Sequence, residues 1–373
     1  VFGEMTVLLH EYNRKVEPTD QLPRGELGPA LFGLFGEVGS LVAVPKKQRR
    51  EGEVFSAYRA AAEEEFGDIL WYLAAVCRRL NIELEDIFRG VLQDGTYQST
   101  LAATSLPSGP IAAVGIAANN PELDSSLSTL AQFSAGLFSP GSDKIEALRQ
   151  FAQAFVTAMR AAKVSFADIA NANIQKVCGR FLAPEFAALP RFDTDFDEDE
   201  RLPEHFEISI VQRSTGRSYL KWNGVFIGDP LTDNIADKDG YRFHDVFHMA
   251  HTAILHWSPV FRALIKHKRK SKGNFDEEQD SGRAIVVEEG LTAWVFSRVK
   301  GQKLHEGSKL SFDLLKTVRQ FVAGYEVEQC PLSLWERAIL SGHVVFRQVL
   351  ANSGGIVIGD RSARTISYRR LGE

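Results

Sequence analysis

Glu65 and Asp68 stand three residues apart in a run, Ala62 to Leu73, whose other positions follow a helical period. Side chains three apart on a helix lie on one face, so these two carboxylates point together. Tyr72 follows one turn later, and Phe66, Ile69, Leu70 and Leu73 cover the opposite face, which would anchor the helix in a core. An earlier helical stretch carries Glu37 with Ser40 at the same spacing. Three carboxylates from two packed helices make a site of hard oxygen donors, suited to Mg²⁺. Lys46, Lys47, Arg49 and Arg50 come soon after Glu37 and are candidates to hold phosphate oxygens. The competing reading is a solvated helix face, the usual fate of a charge run.

The two acidic motifs come with their apolar flanks: GEVGSL at 36–41 and EEFGDILWYL at 64–73. Together they resemble the E-x-x-E, spacer, E-x-x-D signature of the MazG-type all-α nucleoside triphosphate pyrophosphohydrolases. The resemblance implies Mg²⁺-dependent cleavage (with Mn²⁺ as the alternative ion) of an NTP or dNTP between the α and β phosphates. The products are the monophosphate and pyrophosphate. On this reading Glu37, Glu65 and Asp68 bind the metal, Glu64 takes a proton from the attacking water, and Tyr72, Lys46 and Lys47 border the substrate. Ser40 is a departure, because the family pattern has a glutamate there. The site is therefore one charge short.

The elements that must position these residues include an internal repeat. Residues 146–169 align with 64–87 at a constant offset of 82, pairing Arg160 with Arg78, Phe166 with Leu84, and Asp168-Ile169 with Asp86-Ile87. Ala147 and Gln150 fall opposite Glu65 and Asp68, so the second copy has lost the acidic motif. It ends in Asn173-Ile174-Gln175-Lys176-Val177-Cys178-Gly179-Arg180-Phe181, similar to the N-x-x-K-V-x-x-R-F tail of the same family, whereas the first copy has Val91-Leu92-Gln93-Asp94 at the equivalent place. That likeness makes Asn173, Lys176 and Arg180 phosphate-binding candidates, supplied to the carboxylates of copy one. The alternative is that the two cations complement the negative end of their own helix.

A second constellation lies downstream. Tyr241 to His256 reads YRFHDVFHMAHTAILH, and five of the nine histidines fall between His244 and His267. His244, His248 and His251 share one helix face, and Glu288-Glu289 opens an apolar helix further on. Two histidines four apart with a distant glutamate, here Glu288, is a transition-metal pattern. The competing reading is a buried polar network between the histidines and Glu288 or Glu289. The basic run Lys266–Lys272 reads as a solvated loop, since no aromatics interleave it for stacking on nucleic acid.

Length and composition bound these readings. The 373 residues suggest two or three domains; 44% hydrophobic and 24% charged residues are those of a globular chain. A net charge of −5 gives no general pull towards nucleic acid or membrane. Cys77, Cys178 and Cys330 are too scattered for a zinc or disulfide framework, which fits a reducing cytoplasm. No signal peptide and no membrane-spanning apolar run is expected. The helix from Leu27 is expected to end or kink at Pro45, and 94–112 to be a linker. FEISIVQR (206–213) and YLKWNGVFIG (219–228) read as a hairpin, and the tail from Gly354 as another.

The expected fold is mainly α. A helical bundle is built from copy one (1–95) and the degenerate copy two (115–183), followed by an α+β domain (200–373) with a small antiparallel sheet. The expected function is nucleoside triphosphate pyrophosphohydrolase, as a monomer or homo-oligomer. The alternative is a nucleotide-binding sensor with weak or no turnover, whose C-terminal domain acts on a partner.

Overall fold

The computed structural model describes residues 9–52, 58–89, 91, 121–139, 141, 143–305 and 307–372. Met5 and Leu8, the run from Leu92 to Asp94, the linker 94–112 and residues 115–120 of copy two lie outside the described residues. Contacts divide the chain into two units, Val1–Leu182 and Ala183–Glu373.

The first unit is helical: α1 (Leu9–Val16), α2 (Leu27–Glu51), α3 (Tyr58–Leu80), the short α4 (Leu84–Phe88), α5 (Pro121–Gly136), α6 (Lys144–Ala161) and α7 (Phe166–Phe181). Helix α2 pairs with α3, and α5 pairs with α6. Across the two pairs, α2 meets α5, α3 meets α7 and α4 meets α6, so equivalent helices exchange partners. One apolar core runs through all of them, with Phe66, Ile69 and Leu73 of α3 beside Phe151, Phe155 and Ile169. The repeat offset recurs in the backbone. Asn81 (φ 54°) and Lys163 (φ 56°) both turn left-handed. Ile82 N then donates to Cys77 O at 3.0 Å, and Val164 N to Met159 O at 3.2 Å. Each is the bond that closes a helix over a left-handed residue.

Helix α2 does not stop at Pro45 but continues to Glu51. Proline there removes one N–H, the one that would reach the Leu41 carbonyl, and Pro45 itself is buried in the helix interface. The lysines, glutamine and arginines that follow are good helix formers and carry the helix on. The same helix overturns the expectation that no apolar run is long enough to cross a membrane. An 18-residue window within its 25 residues reaches a mean hydropathy of 1.6, and 33% of that window is buried. The apolar residues are spread over two faces. Leu31, Leu34, Val38 and Leu41 face the core, while Phe32, Phe35 and Val42 are exposed.

The second unit holds a five-stranded antiparallel sheet in the order β3-β2-β1-β4-β5, with β1 His205–Gln212, β2 Ser218–Trp222, β3 Val225–Leu231, β4 Gly354–Asp360 and β5 Thr365–Arg369. Alternation works as expected in β1, where Phe206, Ile208 and Ile210 are buried. The run 219–228 is not one strand. Asn223 (φ 49°) and Gly224 (φ 80°) make a tight turn between β2 and β3, which is the turn chemistry of a two-residue hairpin loop. Against the sheet lie α8 (Asp245–Ala250), prolonged by a π-helical turn over His251–Leu255, and α12 (Leu332–Ala351). Helices α9 (Pro259–Ile265), α10 (Gly282–Val299) and α11 (Phe312–Phe321) complete the unit.

Residues 184–199, left between the two expected domains, belong to this unit. Buried Asp193 accepts from Arg262 Nη2 at 2.9 Å, Arg361 Nη2 at 2.8 Å and Leu202 N at 2.8 Å. The basic run is not simply a solvated loop. Arg269 is fully buried, donating to Asp280 at 2.7 Å and Glu326 at 2.6 Å. A buried guanidinium needs such partners, and this fork-shaped cation finds two carboxylates.

Candidate functional site

In the first unit α2 supplies Glu37, α3 supplies Glu64, Glu65, Asp68 and Tyr72, and α7 supplies Asn173 and Lys176. Two glycines let the helices come this close. A Cβ on Gly33 of α2 would lie 2.0 Å from the Tyr72 ring of α3. A Cβ on Gly67 of α3 would lie 2.9 Å from Asn173 Cβ of α7. With both positions bare, ligand atoms of Glu37, Glu65 and Asp68 gather within 4.8 Å of one another.

Helix α7 reaches into this cluster. Lys176 Nζ donates to Asp68 Oδ2 at 2.5 Å and to Glu64 Oε1 at 2.8 Å. Asn173 Nδ2 donates to Asp68 Oδ1 at 3.2 Å, and Asn173 Oδ1 accepts from the buried Tyr12 hydroxyl at 2.7 Å. Burial works against the Lys176 ammonium, but Asp68 and Glu64 outweigh it and raise its pKa. The Glu37 side of the cluster stays crowded with negative charge. Burial, then the charges of Asp68 and Glu65, push Glu37 up to about 7. Burial and Asp68 raise Glu65 as well. Crowded, half-buried carboxylates of this kind are what a divalent cation relieves, and three hard oxygen donors suit Mg²⁺ or Mn²⁺. The donor set therefore fits such an ion.

Not every sequence candidate joins the cluster. Lys46 and Lys47 are exposed on α2, roughly 13 Å along the helix axis from Glu37 at 1.5 Å per residue. Arg49 of the same basic run is bound to Asp124 of α5 at 2.5 Å. Arg180 is buried near the end of α7, its guanidinium 5.5 Å from the Phe181 ring. Tyr72 borders the cluster: burial first, then the charges of Glu37 and Asp68, raises its phenol pKa. Ser40 is exposed, one turn from Glu37.

In the second unit, Glu288 of α10 is fully buried and takes four hydrogen bonds. His248 Nδ1 and His251 Nδ1 reach Oε1 at 3.0 and 2.9 Å; Ser258 Oγ and Val260 N reach Oε2 at 2.9 Å each. Burial would raise the Glu288 pKa, but His248 and His251 outweigh it and hold the carboxyl down to about 2. Its neighbour Glu289 faces the other side of the histidines, with Oε2 3.5 Å from both His244 Nε2 and His248 Nε2.

Residues 187–372 match the family model described as the MazG C-terminal domain. The chain is a MazG-like protein with a C-terminal domain. Neither a curated protein nor a solved structure matches it. Membership points to nucleotide-related, pyrophosphohydrolase-like chemistry.

The tasks of two residues of this MazG-like chain escaped the sequence reading. Tyr12 looks like one more apolar position of α1, and only its contact with Asn173 gives its hydroxyl a task. Glu289 reads from sequence only as a polar partner of the histidines, with Glu288 as the metal-ligand candidate. Adjacent residues on a helix diverge by about 100°, so the two carboxylates meet different sides of the histidine row. The sequence supplies the pair but not which member faces which side.

Proposed function

We propose that the first unit is a Mg²⁺-dependent nucleoside triphosphate pyrophosphohydrolase. The observation that carries this is the convergence of Glu37, Glu65 and Asp68 ligand atoms within 4.8 Å, on the motif positions that resemble the family signature. These three residues would hold the ion, which supplies charge neutralisation and polarisation of the phosphoryl oxygens. Asn173 and Lys176 each hold one oxygen of Asp68, so the carboxylate is fixed before substrate arrives. Glu64 keeps a place beside the cluster from which to take the proton of the attacking water. Lys176 is a positioning residue on this reading, and its ammonium offsets part of the negative charge that a triphosphate would otherwise meet. The test is pyrophosphate release from a panel of NTPs and dNTPs with Mg²⁺. Equimolar monophosphate and pyrophosphate supports the assignment, and release of orthophosphate alone counts against cleavage between α and β.

A second reading has its own support. Lys176 is committed to Asp68 and Glu64, and Ser40 adds no charge, so a nucleotide could bind without turnover and the C-terminal domain could respond to it. Saturable binding of a triphosphate with no pyrophosphate release, in the presence of Mg²⁺, would favour this sensor over the enzyme.

A further inference from the structure

The second unit contains a group of atoms that its hydrogen bonds do not explain. His244 Nδ1 lies 2.9 Å from the Tyr241 carbonyl oxygen. A carbonyl only accepts, so Nδ1 of that ring is protonated, and Nε2 carries either a lone pair or a second proton. His248 Nδ1 lies 3.0 Å from Glu288 Oε1, whose carboxylate also takes Ser258, Val260 and His251. Nδ1 of His248 is therefore a donor too, and its Nε2 carries either a lone pair or a second proton. Both Nε2 atoms lie 3.5 Å from the same oxygen, Glu289 Oε2.

A lone pair facing a carboxylate oxygen is repulsive unless a positive charge lies between them. A second proton on each ring would give charge-assisted hydrogen bonds, which close to about 2.7–2.9 Å. The observed 3.5 Å is too long for that. It matches the edge of a coordination tetrahedron, and ligand atoms of His244, His248 and Glu289 all lie within 4.8 Å of one another. Two ligands bound at about 2.0–2.2 Å around one tetrahedral ion stand roughly 3.4 Å apart. An independent observation points the same way. His248 is fully buried, and its Nε2 has no hydrogen-bond partner among the described residues. A buried polar atom in this state calls for an explanation, and a bound ion supplies one.

We infer that His244 Nε2, His248 Nε2 and Glu289 form a binding site for a divalent transition-metal ion of the Zn²⁺ class. Two imidazoles and one carboxylate are a borderline donor set, distinct from the all-oxygen cluster of the first unit. Glu288 is the outer carboxylate that fixes the tautomer of His248, the arrangement that commonly supports a metal-bound histidine. The Tyr241 ring, stacked on His244 at 4.4 Å and 6° between planes, holds the other imidazole in its orientation. His251 is not a ligand: its Nδ1 is spent on Glu288, and its ring packs edge-on against Trp335 at 5.4 Å. The π-helical turn beginning at His251 accompanies this divergence from the His244–His248 face. Glu289 is 39% exposed while His248 is sealed, so the ion is reached from the Glu289 side. Three protein ligands leave that side free for a fourth, exchangeable one.

The test uses the full chain, stripped with a chelator and titrated with Co²⁺, whose visible spectrum reports nitrogen ligation and tetrahedral geometry. One Co²⁺ per chain with that spectrum, displaced by Zn²⁺ and unaffected by excess Mg²⁺, is expected. Glu289→Gln, at a half-exposed position that tolerates the change, should weaken Co²⁺ by more than the roughly 10–100-fold that loss of an outer partner costs. Glu65→Gln in the first unit should leave the signal intact. His251→Gln should retain the stoichiometry. Failure of the folded wild-type chain to bind Co²⁺ or Zn²⁺ would overturn the site. So would wild-type affinity in Glu289→Gln, or loss of binding in His251→Gln alone, which would move the ligand set to Glu288.

Discussion

Lys176 Nζ and Asp68 Oδ2 are 2.5 Å apart although 108 residues separate them in sequence. The contact joins the carboxylates of α3 to α7, and it defines what Lys176 does before any nucleotide arrives. Lys176→Met should leave Asp68 and Glu64 without their cation beside the crowded Glu37 and Glu65. Breaking a buried pair costs about 3–5 kcal/mol. Both partners here keep some exposure, 17% and 19%, so solvent screening lowers the expectation to about 1–3 kcal/mol. Added Mg²⁺ should then raise the melting temperature of the variant more than that of the wild type. A variant that melts as wild type and shows no extra response to Mg²⁺ would make Lys176 a phosphate ligand only.

Glu65→Ala and Asp68→Ala should each abolish Mg²⁺-dependent pyrophosphate release while the helical circular dichroism persists. Each removes one of three donors that converge within 4.8 Å, and each lies on the half-buried face opposite the α3 core residues. Removing a carboxylate from a crowded cluster relieves repulsion, so the metal-free melting temperature should not fall for Glu65→Ala. Unchanged turnover in either variant would remove that residue from the metal set.

Gly67→Ala tests the approach of α3 to α7. The new Cβ would stand 2.9 Å from Asn173 Cβ and 3.3 Å from its Nδ2. The helices must separate by a few tenths of an ångström or more, and Asn173 moves away from Asp68. Overpacking of this kind costs about 1–3 kcal/mol, and activity should fall by more than stability does. The readouts are thermal melting and pyrophosphate release at a temperature where the variant is folded. Full activity in the folded variant would separate Asn173 from the function of Asp68.

What was legible in the sequence follows from how local each signal is. The spacing of Glu65 and Asp68 on one face, the alternation of β1 and the offset between copies are local patterns, and each survives in the structure as a shared face, a buried row and a repeated turn. The Asn223-Gly224 turn was equally local and was overlooked inside an apolar run. Lys176 could be placed near the carboxylates only through the likeness of its tail. That it grips Asp68 and Glu64 depends on Gly67 letting α7 in, a packing relation no spacing records. Arg269 was misread because a run of charge in sequence suggests solvent, whereas it is neutralised in the core by Asp280, 11 residues on, and Glu326, 57 residues on.

Ser40→Glu restores a fourth acidic position one turn after Glu37. Ser40 is exposed, so the longer side chain meets no packing obstacle and can lean towards the cluster. The concentration of Mg²⁺ giving half-maximal pyrophosphate release should fall several-fold, and the metal-free protein should become slightly less stable through added repulsion. An unaltered Mg²⁺ dependence would mean that the three existing carboxylates already saturate the ion's need for protein charge.

Protons and the cation should compete at Glu37. Its pKa in the fold is pushed up to about 7 from an ordinary 4.5, by burial first and then by Asp68 and Glu65. A carboxyl whose folded pKa is raised favours the protonated fold. That contribution is complete below pH 4.5 and is lost as pH rises through about 7. The metal-free chain should therefore lose stability across that window from this group. Mg²⁺ needs Glu37 ionised, so its binding should release close to one proton below pH 7 and fewer above it. Apparent Mg²⁺ affinity, followed by the thermal shift it produces, should rise with pH through this range and level off beyond it. Glu37→Gln should flatten the profile and leave weak binding through Glu65 and Asp68. A Mg²⁺ response that is the same at pH values on both sides of 7 in the wild type would place the ion away from Glu37.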